Sequence, residues 1–263
     1  EVIFFFFLII LSISLISVAI WSGPDPKSAI KGILLFDIPP DKGPYGSLLI
    51  ITALIGTVGG SIANLLYPYF IQQKGWKGPQ YRKVQLYDLA FGTTILVLIN
   101  LSVWTIGAEV LFPRGIHIEN IDDLASLLIL TLGNIGGPIF YIGVFAALYT
   151  SIIGLSVGFG YLILDATKVI SSKIPIKASK FNTSNSKIYK IVVIWCLYSP
   201  LIYLLPKMPN FIFLTILASA ATVIVLPVLC GSLWYITSSK SFIGEKYKNT
   251  LFENLILLLL FIL

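Results

Sequence analysis

Charge is what this 263-residue sequence has least of: 11% of its residues are Asp, Glu, Lys or Arg, less than half of the roughly 25% usual in a water-soluble domain. Against that scarcity stand 57% hydrophobic residues and a mean hydropathy of +0.92, which exclude an ordinary soluble enzyme. Cysteine is nearly absent. Cys196 and Cys230 both lie inside apolar blocks, where a small buried hydrophobe is the ordinary role, and two are too few for a disulfide scaffold. The one histidine, His117, has no neighbours of metal-ligating type, so a zinc site is not indicated. A Gly-rich phosphate loop, a Ser/His/Asp set and paired cysteines are missing too. Enzymatic chemistry and a resident cofactor therefore find no support. The apolar residues come in long continuous blocks, which excludes disorder and, because they do not alternate with period two, a membrane β-barrel.

A helix crosses the hydrocarbon core of a bilayer with about 20 apolar residues, and the blocks divide accordingly. Spans are expected at about 2–21, 47–73, 86–112, 136–164, 189–205, 211–236 and, cut short, 251–263. They make one transmembrane domain over 1–263. The chain opens on Glu1 directly before an apolar run and stops within another, so it reads as a fragment, incomplete at both ends. Lys and Arg fall unevenly between alternate connections. One set holds Lys74, Lys77, Arg82, Lys83, Lys168, Lys173, Lys177, Lys180, Lys187, Lys190, Lys240, Lys246 and Lys248. The other holds Lys27, Lys31, Lys42, Arg114 and Lys207, together with Asp25, Asp37, Asp41, Glu119, Asp122 and Asp123. Thirteen basic residues against five assign the first set to the cytoplasm. The net charge of +6 follows from that topology, and nucleic acid need not be invoked. Ile121 to Thr131 has the weak pattern of an amphipathic helix lying on the outer surface.

Within the second span, Gly59-Gly60 is followed four residues later by Asn64. Each glycine costs a helix about 1 kcal/mol relative to alanine, and freed backbone groups at membrane depth are tolerated only inside protein or along a cavity. Two readings stand side by side. The pair breaks the helix and offers carbonyls, with the Asn64 side-chain oxygen, to a dehydrating ion; or Gly59, Gly60, Ser61 and Ala63 are small so that a neighbouring helix can approach. Gly143, Ala147, Ser151, Gly154 and Gly158 form a second small-residue stripe, suited to helix packing. Asn100, with Thr94 before it, and Ser219 in the sixth span are pathway or packing candidates. Asp88, Asp165 and Glu109 lie near span ends, where interfacial solvation and a gate or proton pathway are both open.

The order of these features resembles the natural resistance-associated macrophage protein (NRAMP) family of divalent-metal transporters, from its fifth helix to the start of its eleventh. Leu54-Ile55-Gly56-Thr57-Val58 through Asn64-Leu65 is similar to the approach to that family's Met-Pro-His-Asn motif in the sixth helix. Tyr87-Asp88-Leu89-Ala90 and Leu98-Ile99-Asn100 resemble the seventh helix, Ala146-Ala147-Leu148-Tyr149-Thr150-Ser151 with Gly154 and Gly160 the eighth. Leu226-Pro227 and then Phe242-Ile243-Gly244-Glu245-Lys246-Tyr247 resemble the tenth helix and its exit loop.

The resemblance implies an all-α, polytopic LeuT-type fold of inverted repeats, here partial, with the ion bound between broken first and sixth helices. The first four helices would be missing partners, and the family's Asp-Pro-Gly-Asn motif has no counterpart; Asp25-Pro26 runs on into Lys27-Ser28. Alignment on Asn64 puts Ser61, Ile62 and Ala63 where the family has Met, Pro and His. Loss of the soft sulfur resembles the family's magnesium-transporting branch and implies a hard cation, Mg²⁺ or Mn²⁺. Loss of Pro and His puts proton coupling in doubt and leaves passive uptake as the expectation. Asn64, Ser61, Gly60 and Gly59 are then the metal-site candidates. The ion is substrate, no cofactor is implied, and the expected setting is a prokaryotic plasma membrane. An organic-substrate permease of the same architecture and a membrane scaffold without transport are the rival readings.

Overall fold

The computed structural model describes residues 2–35, 44–171 and 186–262, and among them all regular structure is helical. Lys42, Asp37, Asp41, Lys173, Lys177 and Lys180, used above to assign sidedness, lie outside the described residues. Among the described residues six helical stretches are long and apolar enough to cross a membrane: Val2–Trp21, Ser47–Gln73, Pro79–Arg114, Ile121–Ile170, Lys187–Leu204 and Phe211–Ser238; Leu251–Ile262 is apolar but shorter. Large apolar side chains such as Phe5, Phe91 and Trp195 are exposed along them. In water such surface would drive aggregation; in hydrocarbon it meets a solvent of its own kind, while helical hydrogen bonding satisfies the backbone. This is an integral membrane protein.

The chain forms two compact units. The first comprises residues 1–36 and 65–208 and holds α1 (Val2–Trp21), α2 (Pro26–Leu35), α4 (Tyr67–Gln73), α5 (Arg82–Ile106), α6 (Ile121–Leu132), α7 (Gly136–Ser171) and α8 (Lys187–Tyr198). Its core is built by Leu15, Val18 and Ala19 of α1, Ile106 of α5, Ala125 and Leu128 of α6 and Phe140 of α7. The expectation that 121–131 forms a surface amphipathic helix meets a helix with one face in this core. At its start the Asp123 carboxylate accepts the backbone N–H groups of Glu119 (2.9 Å) and Asn120 (2.8 Å), satisfying donors that a helix N-terminus leaves free. The third span departs from a plain helix. After Ile106 it widens into a π-helical turn, Gly107–Leu111, and then tightens at Phe112–Arg114, with Pro113 unable to continue the ladder.

The second unit comprises residues 37–64 and 209–263 and holds α3 (Ser47–Val58), α9 (Phe211–Ala221), α10 (Val225–Ser238), the short α11 (Lys240–Ile243) and α12 (Leu251–Ile262). Here α3 packs on α9, and α10 on α12. The Asn254 side-chain oxygen collects donors from Trp234 (3.0 Å) and Ser238 (3.1 Å) of α10 and from Asn249 (3.2 Å). The sixth span is not one helix either. A 3₁₀ turn at Thr222–Ile224 separates α9 from α10, and its cause is legible: Pro227 has no N–H for the Val223 carbonyl four residues back.

Candidate functional site

The second span is interrupted where the glycine pair stands. Helix α3 ends at Val58, a 3₁₀ turn occupies Ile62–Leu65, and α4 resumes at Tyr67. The Gly59 N–H still reaches the Ile55 carbonyl at 2.8 Å, but beyond it the ladder lapses and the last carbonyls of α3 lose their partners. Asn64 turns back onto them. Its side-chain nitrogen donates to the Val58 carbonyl at 3.3 Å and, more loosely, to that of Gly59 at 3.5 Å. A carbonyl oxygen cannot donate, so facing two carbonyls fixes the amide orientation: nitrogen toward the break, oxygen away from it. Asn64 as a residue is exposed.

Ser61 shapes the turn from within. Its hydroxyl accepts from Ala63 N–H at 3.3 Å and its carbonyl from Asn64 N–H at 3.0 Å. Ser61 is half-buried and Gly60 buried. The four residues expected at a metal site, Gly59, Gly60, Ser61 and Asn64, thus lie on one turn. Its donors are all neutral oxygens: backbone carbonyls, a hydroxyl and an amide.

The two readings of the glycines turn out to be compatible. A Cβ on Gly56 would meet the Ser219 carbonyl oxygen at 2.0 Å, and one on Gly60 the Thr222 carbonyl oxygen at 2.1 Å; on Gly59 it would meet Leu226 Cδ1 at 2.9 Å. Backbone touches backbone at the first two positions, so α3 and the turn after it lie against α9 and the Thr222 turn without room for a side chain. The close approach is the small-residue packing of membrane helices. It sets the loose turn of the sixth span beside the break of the second. Ser219 enters through its backbone, not its hydroxyl. Thr222 was not foreseen, although Pro227 carried the signal for an irregular turn there.

The remaining candidates lie in the first unit. Thr94 and Asn100 are exposed on α5 and donate to carbonyls of their own helix, Ala90 at 2.8 Å and Leu96 at 3.0 Å. The stripe on α7 is packed at its ends only. Gly143 faces Leu11 of α1 and Gly158 faces Leu66, whereas Gly154 meets open space and Ser151 is exposed. Asp88 and Asp165 acquire partners. The Tyr67 hydroxyl donates to Asp88 at 3.1 Å, Lys74 approaches the same carboxylate at 3.5 Å, and the Tyr69 hydroxyl donates to Asp165 at 3.1 Å.

Comparison with known proteins agrees with this architecture. The family model described as "Natural resistance-associated macrophage protein-like" matches residues 1–263. The chain is 26% identical over 206 residues to the uncharacterised membrane protein YcsG of Bacillus subtilis (strain 168), an alignment covering 77% of this chain and 45% of that protein. It therefore spans about half the length of the curated relative it matches. With a helical membrane architecture, a broken second span and a family match from first residue to last, the chain belongs to the NRAMP family, whose members are LeuT-fold transporters without enzymatic activity or a cofactor.

Proposed function

We propose that this chain forms part of a divalent-cation transporter that works by alternating access, and that the turn from Gly59 to Asn64 is its contribution to the ion site. The observation that carries the reading is the orientation of Asn64. Its nitrogen closes the freed carbonyls of Val58 and Gly59, which leaves Oδ1 as a preorganised neutral ligand on a turn of depleted backbone bonding. Amide, hydroxyl and carbonyl oxygens are hard donors and favour Mg²⁺ or Mn²⁺ over softer metals. Ser61 occupies the position of the family's methionine, in keeping with that preference. Among the described residues, no three His, Cys, Asp or Glu side chains gather where they could hold a metal. Charge compensation would then come from elsewhere in the whole protein, as the family's first-helix carboxylate provides. The bacterial relative fits a prokaryotic plasma membrane as the setting.

The test is uptake of Mg²⁺, Mn²⁺ and Cd²⁺ by the full-length protein in liposomes. Asn64→Ala removes a ligand needed by any ion that sheds water at the turn, so uptake of all three should fall at least tenfold. Ser61→Met adds a soft donor and fills space, so Mg²⁺ uptake should fall several times more than Cd²⁺ uptake. Normal transport by Asn64→Ala, or an equal loss for all ions in Ser61→Met, would refute the site. An amino-acid flux lost in Asn64→Ala, with cation uptake unchanged, would move the assignment to an organic-substrate permease.

A further inference from the structure

Helix α4, the second half of the broken span, has no buried residue of its own, and polar ties do much of the holding. Toward α5 they are several. Tyr67 and Lys74 both reach Asp88, the Tyr67 hydroxyl lies 3.5 Å from the Gln85 carbonyl, and the Gln85 side chain donates to the Trp76 carbonyl at 3.0 Å. The connector adds Lys74 stacked 4.4 Å over the Trp76 ring. Only a short segment separates α4 from α5 in sequence, and these side-chain ties join the two helices across it.

Toward α7 the attachment is of a different kind. Leu66, at the head of α4, seats on Gly158, where an added Cβ would meet it at 2.6 Å. One turn on, the Tyr69 ring stacks on Tyr161 with centroids 6.1 Å apart, and its hydroxyl donates to Asp165. Gly158, Tyr161 and Asp165 are spaced three and four apart and share one face of α7. The contact therefore has an apolar pivot at one end and a single-point hydrogen bond to a carboxylate at the other. Tyr67 and Tyr69, two positions apart, point to different neighbours, so α4 keeps both carboxylates only in one arrangement of α5 and α7.

We propose that Tyr69 and Asp165 are positioning residues that latch α4 against α7 in one state of the transport cycle and part in the other, while α4 and α5 travel together. A hydrogen bond made in one state alone biases the equilibrium by its differential strength, and a surface latch of one bond can release on a functional timescale where a packed core could not. The inference rests on the transporter reading above.

Crosslinking separates the two sides of α4. In full-length protein carrying Cys196→Ser and Cys230→Ser, a reducible two-armed thiol reagent bridges Tyr69→Cys to Asp165→Cys or, separately, Tyr67→Cys to Asp88→Cys. Mg²⁺ and Mn²⁺ uptake into liposomes should fall at least tenfold across the first bridge and recover on reduction, and keep at least half its rate across the second. Uptake that survives the first bridge, or that the second abolishes equally, overturns the latch. Should a cysteine pair fail to fold, Tyr69→Phe removes one hydroxyl and keeps the ring. Its turnover should change at least threefold, with no further change on adding Asp165→Asn; with Tyr69 intact, Asp165→Glu keeps an acceptor for the hydroxyl and should change turnover less than Asp165→Ala. Unchanged turnover, or losses that multiply, overturns the proposal. The crosslinking readout is a ratio within one protein before and after reduction, and the second compares variants at positions 69 and 165 alone; neither touches the turn at Asn64, so failure here leaves the Asn64 test standing, and a misplaced ion site in a protein that still carries the cations leaves this one.

Discussion

At the residue scale, two glycines of similar appearance differ sharply in what surrounds them. Gly56 has the Ser219 carbonyl where a methyl would go, at 2.0 Å, and Gly154 has nothing within 4 Å. Gly56→Ala must push backbone against backbone, an overpacking that costs typically about 1–3 kcal/mol, and part of this is offset by the better helix propensity of alanine, about 1 kcal/mol. Gly154→Ala gains the propensity without the clash. Thermal unfolding in detergent should therefore show a lowered midpoint for Gly56→Ala and an unchanged or raised one for Gly154→Ala; the reverse order would mean that α3 does not lie on α9 as described. In the sequence Gly154 belongs to a small-residue stripe, and Gly56 stands only as part of the stretch leading to the break. What distinguishes them is the partner, and spacing along one helix carries no record of which neighbour arrives. Asn64 was legible as a polar residue at a break. That its nitrogen, not its oxygen, faces the freed carbonyls follows from geometry that no motif encodes.

Elements were legible by length and illegible where they bend. The apolar blocks fall on helical stretches, because hydropathy and the thickness of a bilayer leave little freedom, but their ends differ: the block at 86–112 lies within Pro79–Arg114 and that at 136–164 within Ile121–Ile170. The break of the second span is readable from Gly59-Gly60, and the turn at Thr222–Ile224 from Pro227. The π turn at Gly107–Leu111 has no comparable marker ahead of it. Helix α6 shows how a local signal settles an element. Its Asp123 carboxylate holds the N–H groups of Glu119 and Asn120, so Asp123→Ala should destabilise the helix start by about 1 kcal/mol, the usual size of a capping contribution. Hydrogen exchange at the amides of Glu119 and Asn120 should rise several-fold while that of α7 stays fixed. Uniform acceleration throughout the unit would show instead that α6 unfolds only with its core. Divalent-ion uptake should be retained, since α6 holds no candidate ligand.

For the whole molecule the governing quantity is the distribution of charge about the spans. A Lys or Arg is held on the cytoplasmic side during insertion, and the bias is read in short connections close to span ends. The connection between α4 and α5 and the first residues of α5 carry Lys74, Lys77, Arg82 and Lys83 within ten residues, and the segment after α10 carries Lys240, Lys246 and Lys248. Between the third and fourth spans stand Glu119, Asp122 and Asp123 with Arg114 as the one basic residue. An odd number of crossings, the third span alone, separates Lys77 from Glu119, so the two must lie on opposite sides whichever way the protein inserts. From Lys77 to Lys246 the chain crosses with spans three, four, five and six, an even number, and both belong on one side. In full-length protein freed of Cys196 and Cys230 by serine, an impermeant thiol reagent added to intact cells should label Glu119→Cys and spare Lys77→Cys and Lys246→Cys until the membrane is opened. Labelling of Lys77→Cys with protection of Glu119→Cys would invert the topology and with it the side toward which the α4 latch faces. Labelling of Lys77→Cys and Lys246→Cys from opposite sides would remove one of the spans between them, and the helix pairing of the unit that holds it could not then stand in the membrane.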